Sequence, residues 1–412
     1  MNLSIEENLF LKLLSYAMFS DKKNLEGFNK NADWKTIYEE SCAQTVTALV
    51  FDSIRLLDDN KKPNKELMEL WEEDSIYTVM QNSVKIYAQK ELTSLLESNG
   101  IKHCIIKGAA AAVNYPKPDV RNMGDIDVLV CRKDFERAKE ILSANGYIEK
   151  VVYPQIGHEV EFNKNGISVE LHIQAPGVPE GKLGEKLYDV IQKIPENTEI
   201  SEIGKVEFCK PCSQYNGLVL LLHVISHIGS GIGIRQICDW AMYVKNELNY
   251  DIWENYLEPI LVENKILFFT KVLTKMCCKY LGLPIEECLW CQNVNDGICD
   301  EFMRNILDSG NFGRKQGGRN NSATMLVGNS NQKAAKGWLP LKILGNLQNS
   351  GYTAWPLARK SKIVGCFAWT YVPLRFLKRL LTGERSVKEL KIIITSAKKR
   401  YPLINKLKIF RE

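Results

Sequence analysis

Residues 121–130, with the sequence RNMGDIDVLV, place two aspartates close together in a segment that otherwise has the composition of a buried β-strand. Aspartate is a poor strand former, and burying its carboxylate costs free energy unless a partner compensates the charge. Because residues i and i+2 of a strand project to the same face, Asp125 and Asp127 should lie side by side. Two such charges favour a divalent cation between them, and Mg²⁺, which prefers oxygen ligands, is the expected ion.

A third acid belongs to the same predicted sheet. Asn165 and Gly166 separate two alternating runs, which is typical of a two-residue hairpin turn, and Glu170 follows this turn in ISVELH. Asp125, Asp127 and Glu170 could together hold two Mg²⁺ ions, an arrangement that favours in-line phosphoryl or nucleotidyl displacement. An isolated Asp-x-Asp is more typical of a turn or a solvated edge strand, and a lone glutamate on a hairpin is usually solvated. The apolar VLVC after the second aspartate favours the metal interpretation.

Candidate phosphate-binding groups precede the aspartates. The run IIKGAAAAVNY predicts a strand, a turn at Lys107 and Gly108, and then a short helix. Gly108 would let a phosphate approach the backbone, and the N–H groups at the start of a helix favour anions. Lys107 would add a point charge, and Arg121 would add a guanidinium able to make two parallel hydrogen bonds. An ordinary strand-to-helix turn is the alternative interpretation of Lys-Gly taken alone.

The spacing of apolar residues predicts an α+β protein with several regions. We predict a helical N-terminal region (1–100) and a core with a small mixed or antiparallel sheet (101–205). A helical substrate-binding region (206–308) follows. Residues 309–335 are rich in Gly, Asn, Ser and Gln and predict a flexible linker or loop, and residues 336–412 form a basic C-terminal segment.

The run KGAAAAVNYPKPDVRNMGDIDVLV, followed by VELH, resembles the DNA polymerase beta-like nucleotidyltransferase superfamily. More narrowly, it is similar to uncharacterised bacterial nucleotidyltransferases whose core has Lys-Gly, Tyr-Pro, Arg and Gly-Asp-Ile-Asp in this order. The resemblance implies that residues 101–205 are a nucleotidyltransferase core that binds Mg²⁺ and a nucleoside triphosphate, ATP being one candidate. Asp125, Asp127 and Glu170 would be its catalytic metal ligands, with Glu170 alternatively the base for the acceptor hydroxyl. The nucleotide would contact Lys107, Gly108, Arg121 and Gly124.

One position departs from the superfamily pattern. The superfamily commonly has Gly-Ser or Gly-Gly at the turn, whereas this chain has Lys-Gly-Ala and so lacks a hydroxyl that could touch the triphosphate. Lys107 would act electrostatically in its place.

A second set of polar residues lies in HVISHIGSGIGIRQICDW, to which the resemblance extends loosely. His223 and His227 are four residues apart and share a helix face, a spacing that suits zinc, but no Glu follows the first His as in metalloprotease helices. A packed pair is the alternative. With Arg235 and Asp239, this helix would form the second wall of the nucleotide cleft and contact substrate. His172, on the same strand face as the third acid, would orient the acceptor or a phosphate, or simply pair with that acid.

The cysteines and the N-terminus indicate a cytoplasmic protein. Twelve cysteines show no framework spacing, and the N-terminal run has acids rather than the basic residues of an export signal. Cys209 with Cys212, and Cys288 with Cys291, form two C-x2-C pairs, but they lie too far apart in sequence for an ordinary zinc ribbon. Reduced core cysteines are the default interpretation, and structural zinc is the alternative.

The net charge of +5 conceals a strongly basic end, because residues 314–412 contain 21 Lys/Arg and 3 acids. Within it, KIVGCFAWTYVPLRFLKRLL combines apolar, aromatic and basic residues and is too short to span a bilayer. It could contact an anionic membrane surface peripherally, or it could be a core helix pair with a solvated basic face. Nucleic acid ranks lower as a partner, because no recognition module is visible.

Together these features predict a Mg²⁺-dependent nucleotidyltransferase that moves a nucleoside monophosphate to a hydroxyl-bearing acceptor. The acceptor would be a sugar, a lipid-linked sugar, a small metabolite or a peptide product. Two alternatives remain. A metal-dependent glycosyltransferase-like enzyme could use the same Asp-x-Asp to hold a nucleotide sugar, and a non-catalytic regulatory protein could bind a nucleotide without turnover.

Overall fold

The structure is a computed structural model that describes residues 3–29, 31–150, 159–179, 182–316, 344–345, 347–348, 351–352, 355–382, 386, 395 and 400–410. Its first helices are α1 (Ile5–Phe19), α2 (Trp34–Gln44), α3 (Thr47–Ile54) and α4 (Lys65–Ser98). The strand-containing region comprises β1 (His103–Ile106), α5 (Gly108–Ala112), β2 (Ile126–Val130), α6 (Phe135–Ala144), β3 (Ile148–Glu149), β4 (Glu159–Lys164), β5 (Ile167–His172), α7 (Lys182–Ile191), β6 (Thr198–Ile203) and β7 (Val206–Pro211). The later helices are α8 (Ser213–His227), α9 (Ile234–Asn246), α10 (Tyr250–Ile252), α11 (Glu258–Glu263), α12 (Leu267–Leu281), α13 (Asp296–Ser309), α14 (Pro356–Lys360), α15 (Lys362–Cys366) and α16 (Tyr371–Leu381).

Polar caps define the N-terminal helices. Ser4 and Glu7 form a capping box at α1, and the Asn64 side chain accepts a hydrogen bond from the Leu67 N–H at the start of α4. Helix α4 is 34 residues long and connects two hydrophobic cores. Trp71 packs in the larger core with α1, α3 and α8, whereas Leu92 packs in a smaller core against the sheet. The long helix therefore fixes the sheet relative to the helical body.

The main sheet has five strands in the order β1-β2-β5-β4-β3. Strand β2 pairs parallel with β5, and the other neighbouring pairs are antiparallel. Asn165 (φ 54°) and Gly166 (φ 82°) form the turn between β4 and β5, with the two positive φ angles that a tight hairpin needs. The predicted α+β class with a small mixed sheet and helical flanks is confirmed.

A two-stranded antiparallel ribbon of β6 and β7 adjoins β1 and leads directly into α8. Helices α8 and α9 pack on one another, and α9 also packs on α12. Trp240 of α9 is fully buried and donates a hydrogen bond to Thr274 of α12 at 2.8 Å. Helix α9 also packs on α5, the short helix that follows β1, and α8 packs on β7.

The described parts of the C-terminal segment fall into two kinds. Helix α16 has no buried residue, whereas Leu403 and Leu407 are buried in the larger core. Arg400 is also buried and donates hydrogen bonds to the carbonyl of Gly229 and the hydroxyl of Ser309. Most of the predicted loop at 309–335 lies outside the described residues, and the region boundaries stay predictions. No helix in the described ranges has the length and apolar character to cross a membrane.

Candidate active site

Neighbouring parallel strands bring two acids together. Asp127 of β2 is in register with Glu170 of β5, so the two side chains share one face of the sheet. His172 follows two residues later on that face. Its Nε2 atom lies 2.9 Å from Asp127 Oδ1 and 3.2 Å from Glu170 Oε2. One potential ligand atom from each of the three residues lies within 4.8 Å of the other two, a spacing that could accommodate one metal ion.

Lys107 places its ammonium group against the two acids. It follows β1, whose last residue is the register partner of Asp127. Its Nζ atom lies 2.6 Å from Asp127 Oδ1 and 3.9 Å from Glu170 Oε2. The backbone of Lys107 has φ 58° and ψ −129°, a conformation that favours glycine. Helix α5 is only five residues long, so the positive charge at this turn comes chiefly from the ammonium group rather than from a helix dipole.

The buried charges compensate one another. Burial by itself would raise the pKa of Asp127, but the ammonium of Lys107 and the imidazole of His172 hold it well below the ordinary value. Burial likewise opposes protonation of His172, yet hydrogen bonds with Asp127 and Glu170 raise its pKa to about 9. Burial raises the pKa of Glu159, whose Oε2 lies 3.4 Å from His172 Nδ1. The site thus places two carboxylates against the ammonium of Lys107 and an imidazole whose pKa is raised.

Asp125 lies immediately before β2 and is exposed. Together with Lys85, Gly108, Gly124 and Asp127, it lines a shallow hollow between α4 and the sheet. Burial lowers the pKa of Lys85 and the carboxylate of Asp125 opposes that shift, which places the two charges near one another. Of the three predicted metal ligands, the structure joins Asp127 and Glu170 directly. Asp125 precedes the strand instead of lying on it beside Asp127, and it is outside this group of ligand atoms.

The loop before β2 is fixed by α4. The Asn82 side chain donates to the carbonyls of Asp119 (2.6 Å) and Arg121 (2.9 Å) and accepts from the N–H of Met123 at 2.9 Å. Lys85 donates to the carbonyl of Met123 at 2.6 Å. These contacts orient the loop that carries the first aspartate.

Arg121 forms a buried salt bridge with Asp239. Its Nε lies 3.0 Å from Asp239 Oδ1 and its Nη2 lies 2.5 Å from Asp239 Oδ2, and both side chains are buried. Tyr115 donates a third hydrogen bond to Asp239 at 2.8 Å. This pair links the loop before β2 to α9. Contact of Arg121 with the nucleotide stays a prediction. In this structure the guanidinium of Arg121 donates two hydrogen bonds to Asp239.

Arg235 presents a second guanidinium to the cleft. It donates to the carbonyl of Asn122 at 2.8 Å and, within the described part of the chain, makes no salt bridge. Burial and the neighbouring Arg121 lower its pKa to about 10, although Asp239 opposes the shift. Burial, His227 and Lys107 lower the pKa of His223, so α8 faces the same basic region. The rings of His223 and His227 contact edge to face at 4.8 Å, as a packed pair does.

The sequence did not predict three residues of the site. Lys85 lies on a long helix far upstream and carries no local signal. Tyr115 stood within the Tyr-Pro motif, but nothing in the sequence indicates its contact with Asp239. Glu159 is the register partner of His172 across the hairpin, and counting register back from the Asn-Gly turn could have identified it.

Comparison with known proteins adds one match. Residues 30–282 match the model of a protein family described as an uncharacterised nucleotidyltransferase. The matched region contains the sheet, the acidic cluster and helices α8 and α9. A comparison with curated proteins finds no match.

Proposed function

This chain belongs to the uncharacterised nucleotidyltransferase family, and from that premise we propose that it moves a nucleoside monophosphate from a nucleoside triphosphate to a hydroxyl-bearing acceptor with Mg²⁺. The observation that carries the proposal is the pairing of Asp127 with Glu170 on adjacent strands, with Lys107 held against both. Lys107 and His172 compensate the two carboxylates in this structure, and carboxylate oxygens are the ligands that the Mg²⁺ of a bound nucleoside triphosphate prefers.

The donor set fits a metal ion. Asp127 and Glu170 offer carboxylate oxygens, which Mg²⁺ prefers, and we propose Asp125, which lines a hollow together with Asp127, as a third ligand. His172 hydrogen-bonds to both acids, so we propose that it orients the two carboxylates. When bound, Mg²⁺ would neutralise charge on the phosphates and on the attacking oxygen.

In the proposed reaction, the acceptor hydroxyl oxygen attacks the α-phosphorus, a new P–O bond forms, and the bond to the departing pyrophosphate breaks. Glu170, partly exposed at the edge of the cluster, would accept the proton of the hydroxyl. Lys107 and Arg235 would bind the outgoing pyrophosphate, because both are cationic and face the cleft. Arg121 would hold α9 against the loop before β2 through its salt bridge with Asp239.

The acceptor class follows from the reaction type and remains part of the proposal: a sugar, a lipid-linked sugar, a small metabolite or a peptide product. A lipid-linked acceptor agrees with the surface of α16. Leu374, Leu377 and Leu381 are exposed on this helix, and Lys378 and Arg379 lie in its last turn. An amphipathic helix with leucines and basic residues suits the surface of an anionic bilayer. We therefore propose peripheral contact with membrane through α16.

The test compares Asp127→Asn and Glu170→Gln with the parent protein. Pyrophosphate release from each nucleoside triphosphate is measured with Mg²⁺ and a panel of sugar, lipid-linked and peptide acceptors. Each variant should lose at least about 100-fold in rate, because the metal loses a charged ligand. Glu196→Gln is the matched control, since Glu196 is an exposed carboxylate paired with Lys133, and it should retain the parental rate.

Three outcomes would overturn the proposal. Full activity in Asp127→Asn would exclude the acidic cluster from the chemistry. Turnover of nucleotide sugars in place of nucleoside triphosphates would favour the glycosyltransferase-like alternative. Calorimetric binding of Mg²⁺ and nucleotide without pyrophosphate release across the acceptor panel would favour a regulatory nucleotide-binding protein.

A further inference from the structure

Three cysteines meet away from the acidic cluster. Cys278 lies on α12. Two short 3-10 turns follow it, at Ile285–Glu287 and Leu289–Cys291; Cys288 lies between them, and Cys291 ends the second. The three sulfur atoms lie within 4.8 Å of one another, and the Sγ atoms of Cys278 and Cys288 are 3.4 Å apart. Sulfurs about 2.3 Å from a tetrahedral zinc would be roughly 3.8 Å apart, so this spacing is close to that of zinc ligands.

The surrounding structure holds the turns in place. Cys288 and Cys291 are fully buried, and the N–H of Cys291 donates to the carbonyl of Cys288 at 3.0 Å. Trp290, between these cysteines, stacks on Trp253 at 3.6 Å with an interplanar angle of 10°. Two ligands on a tight C-x2-C turn and a third on a helix are a common arrangement for structural zinc.

One basic side chain lies beside the cluster. Hydrogen bonds with Cys278 and Cys288 lower the pKa of Cys291, whereas the same contacts raise the pKa of Cys288. The ammonium of Lys275 also stabilises the anionic form of Cys291, and it donates to the adjacent carbonyl of Gln292 at 3.3 Å. Three thiolates on one Zn²⁺ carry a net charge of −1, which this lysine partly offsets.

We propose that Cys278, Cys288 and Cys291 bind one Zn²⁺ through their thiolates, with a solvent molecule as the fourth ligand. The protons that remain on these thiols are released on binding. Cys278 is partly exposed, which gives the fourth position access to water. The ion would fasten the end of α12 to the segment that leads into α13. The site is built from other residues than the acidic cluster and serves stability rather than transfer.

The test measures zinc in the full-length protein, purified under reducing conditions without chelators and analysed by elemental mass spectrometry. We expect about one zinc per chain in the parent, and less than about a tenth of that in Cys288→Ser and Cys291→Ser. Cys212→Ser is the matched control, because Cys212 belongs to the other C-x2-C pair and lies outside this cluster. It should keep the zinc, as should Asp127→Asn, which excludes binding at the acidic cluster.

Cobalt titration of the zinc-free parent protein gives a second readout that needs no variant to fold. Cobalt held by three thiolates should give an intense sulfur-to-metal absorption band in the near ultraviolet, and Cys278→Ser should weaken it. A parent protein that is zinc-free and shows no such band would overturn the proposal. So would retention of a full zinc equivalent in both Cys288→Ser and Cys291→Ser. Neither result would affect the proposed transfer of nucleotides.

Discussion

Lys107 combines a strained backbone with a buried charge. Its φ of 58° and ψ of −129° lie in a region that glycine adopts readily and other residues avoid, at a cost of about 1–3 kcal/mol. Gly108 was predicted to let a phosphate approach the backbone, but a Cβ at Gly108 would make only an ordinary contact with the carbonyl of Asp125 at 3.8 Å. The strain therefore falls on the residue whose ammonium contacts Asp127 and Glu170. A residue that is strained where it carries a functional charge indicates a role in the site.

Two substitutions at Lys107 separate the strain from the charge. Lys107→Ala and Lys107→Gly both remove the ammonium and should both abolish pyrophosphate release, because the two acids lose their cation. Only glycine relieves the backbone, so Lys107→Gly should unfold at a free energy about 1 kcal/mol higher than Lys107→Ala, as measured by urea denaturation. Equal stability of the two variants would show that the backbone at this turn is unstrained in solution.

At the scale of elements, sequence patterns predicted local structure better than contacts between distant segments. The Asn-Gly turn and the alternation around it predicted β4 and β5, and the apolar run predicted β2. The ribbon of β6 and β7 was not predicted, because its alternation is interrupted by charges and its outer face is exposed. The pairing of Arg121 with Asp239 was not predicted either, since nothing local connects a loop to a helix more than a hundred residues later.

The Arg121–Asp239 pair predicts how the loop before β2 depends on α9. Asp239→Asn would leave a buried guanidinium without its counter-charge, which typically costs about 3–5 kcal/mol. Urea denaturation should show this loss. The double variant Arg121→Leu/Asp239→Leu removes both charges and should be more stable than Asp239→Asn, because no unpaired charge remains. If the single variant is as stable as the parent, the pair does not join these two elements.

At the scale of the whole molecule, the described residues of the basic C-terminal segment differ in burial: some pack into the core and others lie on the surface. The family match ends at residue 282, yet residues after 400 pack into the same hydrophobic core as α1 and α8. Composition could not reveal this, because the basic residues of the segment are spread over both its buried and its exposed parts. The segment thus combines a surface helix, α16, with an end that completes the helical body.

Substitution by alanine should therefore change the free energy of unfolding at one leucine of this segment and leave it nearly unchanged at another. Leu407 is 0% exposed, so Leu407→Ala should lower the free energy of unfolding by about 2–5 kcal/mol through the cavity it leaves. Leu377 is 51% exposed, so Leu377→Ala should change stability by less than about 0.5 kcal/mol. If α16 contacts membrane, Leu377→Ala should weaken co-sedimentation with anionic phospholipid vesicles about five- to tenfold, because the lost side chain no longer enters the bilayer interface. Unchanged vesicle binding would remove the membrane from the proposed partners, whereas an equal loss of stability in both variants would mean that α16 is packed against the body after all.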